Sequence, residues 1–153
     1  MVLEIKNLVV SLDTFYKRIE ILRNLDFSIG KNEVVSLVGE SGCGKTFTAL
    51  SIMKLLPKNA TIEKGEIFIE GENITEKSEK DIAKIRGNKV SMIFQEPSSY
   101  LNPVFTIGNQ MTECIKEKIS KKEKEEKIFK VLKEVNLPED VFFQYPHQLS
   151  GGM

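Results

Sequence analysis

Val34-Val35-Ser36-Leu37-Val38-Gly39-Glu40-Ser41-Gly42-Cys43-Gly44-Lys45-Thr46 joins a short apolar run to a glycine-rich octapeptide of the pattern G-x-x-x-x-G-K-[ST]. Placed between a strand and a helix, this pattern makes a phosphate-binding loop. Glycines let the main chain approach phosphate oxygens, and successive N–H groups, with the positive end of the next helix, form a concave anion site. Residues Gly39 to Thr46 are therefore candidates to cradle a nucleoside triphosphate. Lys45 is placed to reach the β- and γ-phosphates, and Thr46 to offer its hydroxyl to Mg²⁺, which takes hard oxygen ligands and keeps several waters.

The run Val34–Val38 is apolar on both faces, as in a parallel strand covered by helices on each side. The stretch after the loop carries Phe47, Ala49, Leu50, Ile52, Met53, Leu55 and Leu56 and reads as a helix that stops near Pro57. Upstream, residues 2–10 and 19–29 alternate between apolar and polar, the pattern of half-buried antiparallel strands. Downstream, Gly65–Gly71 is a further short strand, and Ser78 with Asp81 forms a capping box that opens a helix through Ile85. Val90–Phe94 reads as a second buried strand, ending at Gln95-Glu96-Pro97. Beyond it the periodicity is helical only, over Thr106–Ile119 and Ser120–Val135. The second of these has a capping box at Ser120 and Glu123, an apolar stripe of Ile128, Val131, Leu132 and Val135, and i,i+4 pairs Glu123–Lys127 and Glu126–Lys130. The charge run at 116–127 has mixed signs at helical spacing and reads as a solvated face.

A chain of 153 residues has the size of one domain, and its 22 basic and 22 acidic residues cancel. Zero net charge disfavours a nucleic-acid partner. Cys43 and Cys114 lie far apart and show no metal-ligand spacing, which fits a reducing cytosol. No stretch approaches the roughly 20 apolar residues of a membrane span, and the first residues are too polar for a signal peptide. A membrane role is thus expected to depend on partner chains.

Three segments in order narrow the nucleotide reading. The loop Gly39–Thr46 is followed by Ile93-Phe94-Gln95-Glu96-Pro97 with Leu101-Asn102-Pro103, and then by Tyr145-Pro146-His147-Gln148-Leu149-Ser150-Gly151-Gly152-Met153. This ordered set resembles the ATP-binding cassette (ABC) family, in the branch that powers dipeptide and oligopeptide import and that nickel and other small-solute importers share. The resemblance implies an α/β fold: a P-loop NTPase (RecA-like) core with an N-terminal antiparallel β subdomain in residues 1–95, and a partial α-helical subdomain in residues 96–153. It implies ATP and Mg²⁺ as cofactors. Gln95 matches the glutamine that senses Mg²⁺ and attacking water and couples the core to the helical subdomain. Ser150, Gly151 and Gly152 match the signature loop that contacts the γ-phosphate of ATP held by an opposite subunit. Phe15 or Tyr16 lies where the family places an aromatic ring against adenine, and Tyr16 ranks first.

The implied partners are transmembrane permease subunits, a second ATPase subunit and, indirectly, an extracytoplasmic solute-binding protein. The implied location is peripheral, at the cytoplasmic face of the plasma membrane. In the family, an apolar strand with the Mg²⁺-binding Asp, the general-base Glu and the switch His follow the signature. None is present up to Met153, Glu96 being preceded by Gln95 where that Asp should stand and His147 preceding the signature. The sequence therefore looks like a truncated cassette, inactive as a hydrolase by itself, with unpaired edges at Val34–Val38 and Val90–Phe94. A non-catalytic nucleotide-binding remnant is the alternative from a different class, and a soluble kinase lacks any visible acceptor site.

Overall fold

The two alternating N-terminal segments fold back on each other. β1 (Leu3–Asp13) and β2 (Arg18–Ile29) pair antiparallel, with Leu3 opposite Ile29 and Asp13 opposite Arg18. The turn between them is pinned by the Thr14 hydroxyl, which donates to the Lys17 carbonyl at 2.6 Å and accepts from the Lys17 N–H at 3.1 Å. β1 pairs on its other side with β3 (Ala60–Ile69), also antiparallel, and β3 with the short β4 (Glu72–Asn73), giving the order β2-β1-β3-β4. This computed structural model describes all residues from 1 to 153 and forms two compact units, Met1–Met92 and Ile93–Met153.

In the first unit the central strand supplies three of the nine buried core residues, Ile5, Leu8 and Val10 of β1, which pack with Leu22, Ile67 and Ile69. Helix α2 (Glu79–Ile85) adds Ile82 and Ile85; at its start the Ser78 hydroxyl accepts from the Asp81 N–H, but the Asp81 carboxylate takes the Ser78 hydroxyl instead of the Ser78 N–H, so only half of the expected capping box forms. At Gly65, φ is +98° and an added Cβ would lie 2.5 Å from the Asn7 carbonyl oxygen, so only glycine lets β3 pass the bulge in β1.

Helix α1 (Lys45–Ile52) ends earlier than Pro57 would require. The chain leaves it through Lys54, whose φ of +48° makes the left-handed turn that commonly closes a helix. The reason lies in tertiary bonds. The Lys54 ammonium donates to the carbonyls of Thr75 and Lys77, at 2.8 Å each, and fixes the exit.

Val34–Val38 and Val90–Phe94 depart from the sequence reading as buried parallel strands. Neither belongs to a ladder; the second makes a single isolated parallel bridge, Arg86 to Val90. Val34 is 95% and Val38 91% exposed. Apolar side chains on both faces predispose a segment to the interior of a sheet, but a strand exists only where a neighbour accepts its hydrogen bonds. The exposed apolar faces and unpaired edges match the expectation attached to these two segments.

The second unit is built on helices α3 (Ile107–Cys114) and α4 (Lys121–Glu134) with 3₁₀ turns at Pro97–Tyr100, Glu139–Phe143 and Pro146–Gln148. Its core is Ile107, Ile128, Leu132, Val141 and Phe142. Gly108 admits the Phe142 ring, which would stand 2.5 Å from a Cβ there. Helix α3 begins at the Thr106 cap but stops at Cys114, not at Ile119; the Lys124 ammonium takes the Ile115 carbonyl at 2.8 Å and closes it. One member of the charge run thus serves as a cap for a neighbouring helix rather than a solvated charge. The i,i+4 pairs also differ from the sequence reading. Glu123 is held by Ser120, Lys127 pairs with Glu117, and Glu126 faces Lys122 at 4.0 Å.

Candidate functional site

Every α-helix leaves its first N–H groups without an intrahelical partner. Three of the four here meet a side-chain cap: Ser78 before α2, Thr106 before α3 and Ser120 before α4. The exception is α1. Its N-cap is Gly44, at φ +103°, with no side-chain cap and no acidic residue in the first turn. A helix start left without a side-chain cap or a first-turn carboxylate is suited to an external anion, which the helix dipole favours.

The sequence explains the local path. Gly42 (φ +81°) and Gly44 both take the left-handed region, so the loop turns sharply and delivers Lys45 at the first helical position. At Gly44 a Cβ would lie 2.6 Å from Leu22 Cδ2 and 3.2 Å from the Ile21 carbonyl, so the loop lies directly against β2. The buried Thr48 hydroxyl donates to the Gly44 carbonyl at 3.1 Å and ties the first turn to the loop. The Lys45 ammonium folds over the loop and donates to the Gly39 carbonyl at 2.7 Å and the Glu40 carbonyl at 2.6 Å, with Cys43 Sγ 3.5 Å away. It thus stands as the cation of the loop, bonded to carbonyls that an incoming polyanion can replace. Ser41 and Thr46 are exposed, Thr46 one residue into α1.

An open cleft of about 560 Å³ runs along this loop. One wall is Gly42–Lys45, and the others are Leu37, Val38 and the stretch Ile19–Arg23 of β2. The β2 wall escaped the sequence reading, since alternation identifies the strand but not the loop it faces. Tyr16 is at the tip of the β1–β2 hairpin, 92% exposed, its ring edge-on to Phe15 at 5.3 Å. It belongs to the same unit as the loop but not to the residues lining the cleft.

Gln95 and Ser150–Gly152 belong to the second unit. Gln95 is exposed and follows Phe94, whose ring stacks on Tyr100 at 4.0 Å. Ser150, Gly151 and Gly152 form an exposed turn in which the Met153 N–H donates to the Ser150 carbonyl at 3.0 Å. Just upstream, the Gln148 side chain accepts from the Tyr145 N–H at 2.8 Å and fixes the entry to that turn. Within the first unit the structure thus gathers Gly39–Thr46 into one feature, with Tyr16 not among the residues that line its cleft.

Two ionisable groups mark the contrast with the closed helix ends. Hydrogen bonds from Ser120, side chain first and then backbone, hold the Glu123 carboxyl below its ordinary range. At α2, hydrogen bonds from Lys84 and then Ser78 do the same for Asp81. No helix is long and apolar enough to cross a membrane.

Comparison with known proteins agrees with this geometry. The ABC transporter family model matches residues 22–153. The chain is 39% identical over 156 residues to the oligopeptide transport ATP-binding protein OppD of Bacillus subtilis, covering 99% of this chain and 44% of that protein. It is 44% identical over 156 residues to AppD, another oligopeptide transport ATP-binding protein of that organism, covering 99% of this chain and 48% of that one. The chain thus spans about half the length of the curated relatives it matches. Among solved structures, a dimeric bacterial ABC transporter cassette superposes with a TM-score of 0.84 at 26% identity over 98% of this chain and 64% of that one. A dimeric post-hydrolysis cassette bound to ADP and Pi does so with a TM-score of 0.81 at 25% identity, with the same coverage. The fold is accordingly the α/β fold of these cassettes. Family model, curated relatives and solved cassettes converge along almost all of the sequence, and the chain belongs to the ABC transporter family.

Proposed function

We propose that this chain forms the nucleotide-binding part of an ATPase subunit that powers uptake of dipeptides or oligopeptides. The observation that carries the reading is the open N-terminus of α1 behind the Gly39–Thr46 loop, with Lys45 bonded only to its own loop at that mouth. A triphosphate placed there gains the loop N–H groups, the helix dipole and the Lys45 ammonium together. Gly39 through Thr46 hold the phosphates, and Tyr16 is the ring for adenine. The substrate class rests on the oligopeptide relatives named above.

Thr46 fits Mg²⁺ by its donor chemistry, a hard hydroxyl oxygen at the mouth of the loop, and the Gln95 amide oxygen is a second donor of the same class. The bound ion would neutralise phosphate charge. The chain's own residues bind and orient the phosphates through Gly42, Gly44 and Lys45. Gln95 positions the attacking water, and Ser150, Gly151 and Gly152 serve the nucleotide of a second ATPase subunit. Permease subunits and an extracytoplasmic solute-binding protein complete the assembly, and the chain acts peripherally at the cytoplasmic membrane face. Residues 1–153 alone bind ATP without turning it over, because hydrolysis also needs a carboxylate beside the water and a closed interface around the γ-phosphate.

Equilibrium titration with a fluorescent ATP analogue in Mg²⁺ tests this. The wild-type chain saturates, Lys45→Ala loses at least about tenfold in affinity through its missing charge-assisted contacts, and Lys122→Ala on the exposed face of α4 binds as wild type. Equal losses in both variants would refute the site. Phosphate release above the buffer rate that disappears in Lys45→Ala would refute the inactivity of the isolated chain.

A further inference from the structure

Helix α1 carries the phosphate loop at one end but has little to hold it laterally. Its two buried side chains are Thr48 and Ser51, both small and both bonded back to carbonyls of the loop and helix, at Gly44 and Phe47. Phe47 and Ile52 are only partly buried against the sheet core. What fixes the helix is at its far end. Arg86 Nε donates to the Met53 carbonyl at 2.8 Å and its Nη2 to the Lys54 carbonyl at 2.7 Å, while Glu79 pairs with the same guanidinium. The Arg86 side chain is 20% exposed, and its own N–H closes α2 through the Ile82 carbonyl at 2.9 Å. One residue therefore joins the C-terminal ends of two helices.

We infer that Arg86 is a positioning residue for the phosphate loop, acting through α1; as far as it concerns nucleotide, this rests on the function proposed above. The argument is mechanical and electrostatic. An eight-residue helix is a rod of about 12 Å, so a shift at Met53 and Lys54 moves Lys45 and the loop N–H groups by a comparable amount. A cation on the last carbonyls also favours the dipole whose positive end faces the cleft. The planar guanidinium reaches both carbonyls at once, which a single ammonium does not match. Lys54, bonded to Thr75 and Lys77, holds the same exit from the other side.

The test compares wild type, Arg86→Gln, Arg86→Lys and Ile5→Val, the last loosening the sheet core without removing a hydrogen bond of Arg86. In the nucleotide-free chain, Arg86→Gln shifts the amide resonances of Gly42, Gly44 and Lys45 and speeds hydrogen exchange at Met53 and Leu55 about tenfold, as expected for loss of hydrogen bonds at a helix end. Arg86→Lys returns part of both effects, and Ile5→Val shows neither at matched thermal stability. Affinity for the fluorescent ATP analogue falls about five- to tenfold in Arg86→Gln and recovers in part in Arg86→Lys. Unchanged loop resonances in Arg86→Gln, or wild-type affinity despite shifted ones, would overturn the inference. A wild-type chain that binds no analogue would instead remove the nucleotide reading, and the loop resonances would still decide whether Arg86 sets the loop.

Discussion

Helices α1 and α4 face the same shortage of partners at their first turns, but α4 closes its own end and α1 does not. At α4 the Ser120 hydroxyl accepts from the Glu123 N–H, and the Glu123 carboxylate accepts from the Ser120 N–H at 2.8 Å. At α1 the corresponding place is held by a left-handed glycine with no side chain to offer. The difference separates a helix end used for stability from one kept open for a ligand. The former has its acid in the first turn; the latter has none, with a lysine folded over its mouth.

The largest effect is expected where the open end is built. Gly44→Ala must place a Cβ against Leu22 and hold a side-chain residue in a left-handed conformation, a strain of about 1–3 kcal/mol. The urea midpoint of the first unit should fall and affinity for the ATP analogue should drop at least about tenfold, the loop having lost its path. Retained affinity would mean that the glycine geometry is incidental to binding.

Ser120→Ala addresses the other side of the comparison. It should lower stability by about 1 kcal/mol, the usual value of a lost cap, with helical circular dichroism reduced and analogue affinity untouched. An affinity loss here would break the division between a structural end and a binding end.

Acid gives a smaller, graded version of that loss. Because the folded Glu123 carboxyl is held below the ordinary 4.5, its cap contributes fully above that value and is lost as pH falls below it through the folded value. Urea midpoints measured at stepwise lower pH should show a component that Glu123→Gln abolishes, since the amide keeps the capping geometry but does not titrate. Identical acid sensitivity in both chains would assign the effect to other carboxylates. Least of all should Ser150→Ala change analogue affinity in the isolated chain, where less than about a twofold difference is expected from a residue that serves a partner's nucleotide; a tenfold loss by titration would place Ser150 at its own chain's site.

Much of this contrast is legible in the sequence. The Ser120 and Glu123 box, the Ser78 cap and the alternation of β1 and β2 are local patterns, and each appears in the structure. The glycine-rich loop was legible for the same reason. What escaped the sequence depends on residues far apart. Arg86 meets Met53 and Lys54 across more than thirty positions, and no periodicity announces that pairing. Val34–Val38 failed as a buried strand because composition specifies what a segment prefers to touch but not whether a neighbour is there. The ion pairs on α4 differ because Glu123 is engaged by the Ser120 cap and Lys127 by Glu117.

The pairing of β1 with both β2 and β3 also sets an order of assembly. The β1–β2 hairpin closes through residues 14–17, whereas β1–β3 pairing encloses the whole stretch between Ile29 and Ala60, including the phosphate loop and α1. Closing the longer connection carries the larger entropic cost, and local contacts form first. If the phosphate loop is fixed only when that longer connection closes, it takes shape on the native side of the main folding barrier. A ligand that recognises the finished loop should accordingly slow unfolding of the first unit while leaving its folding rate nearly unchanged.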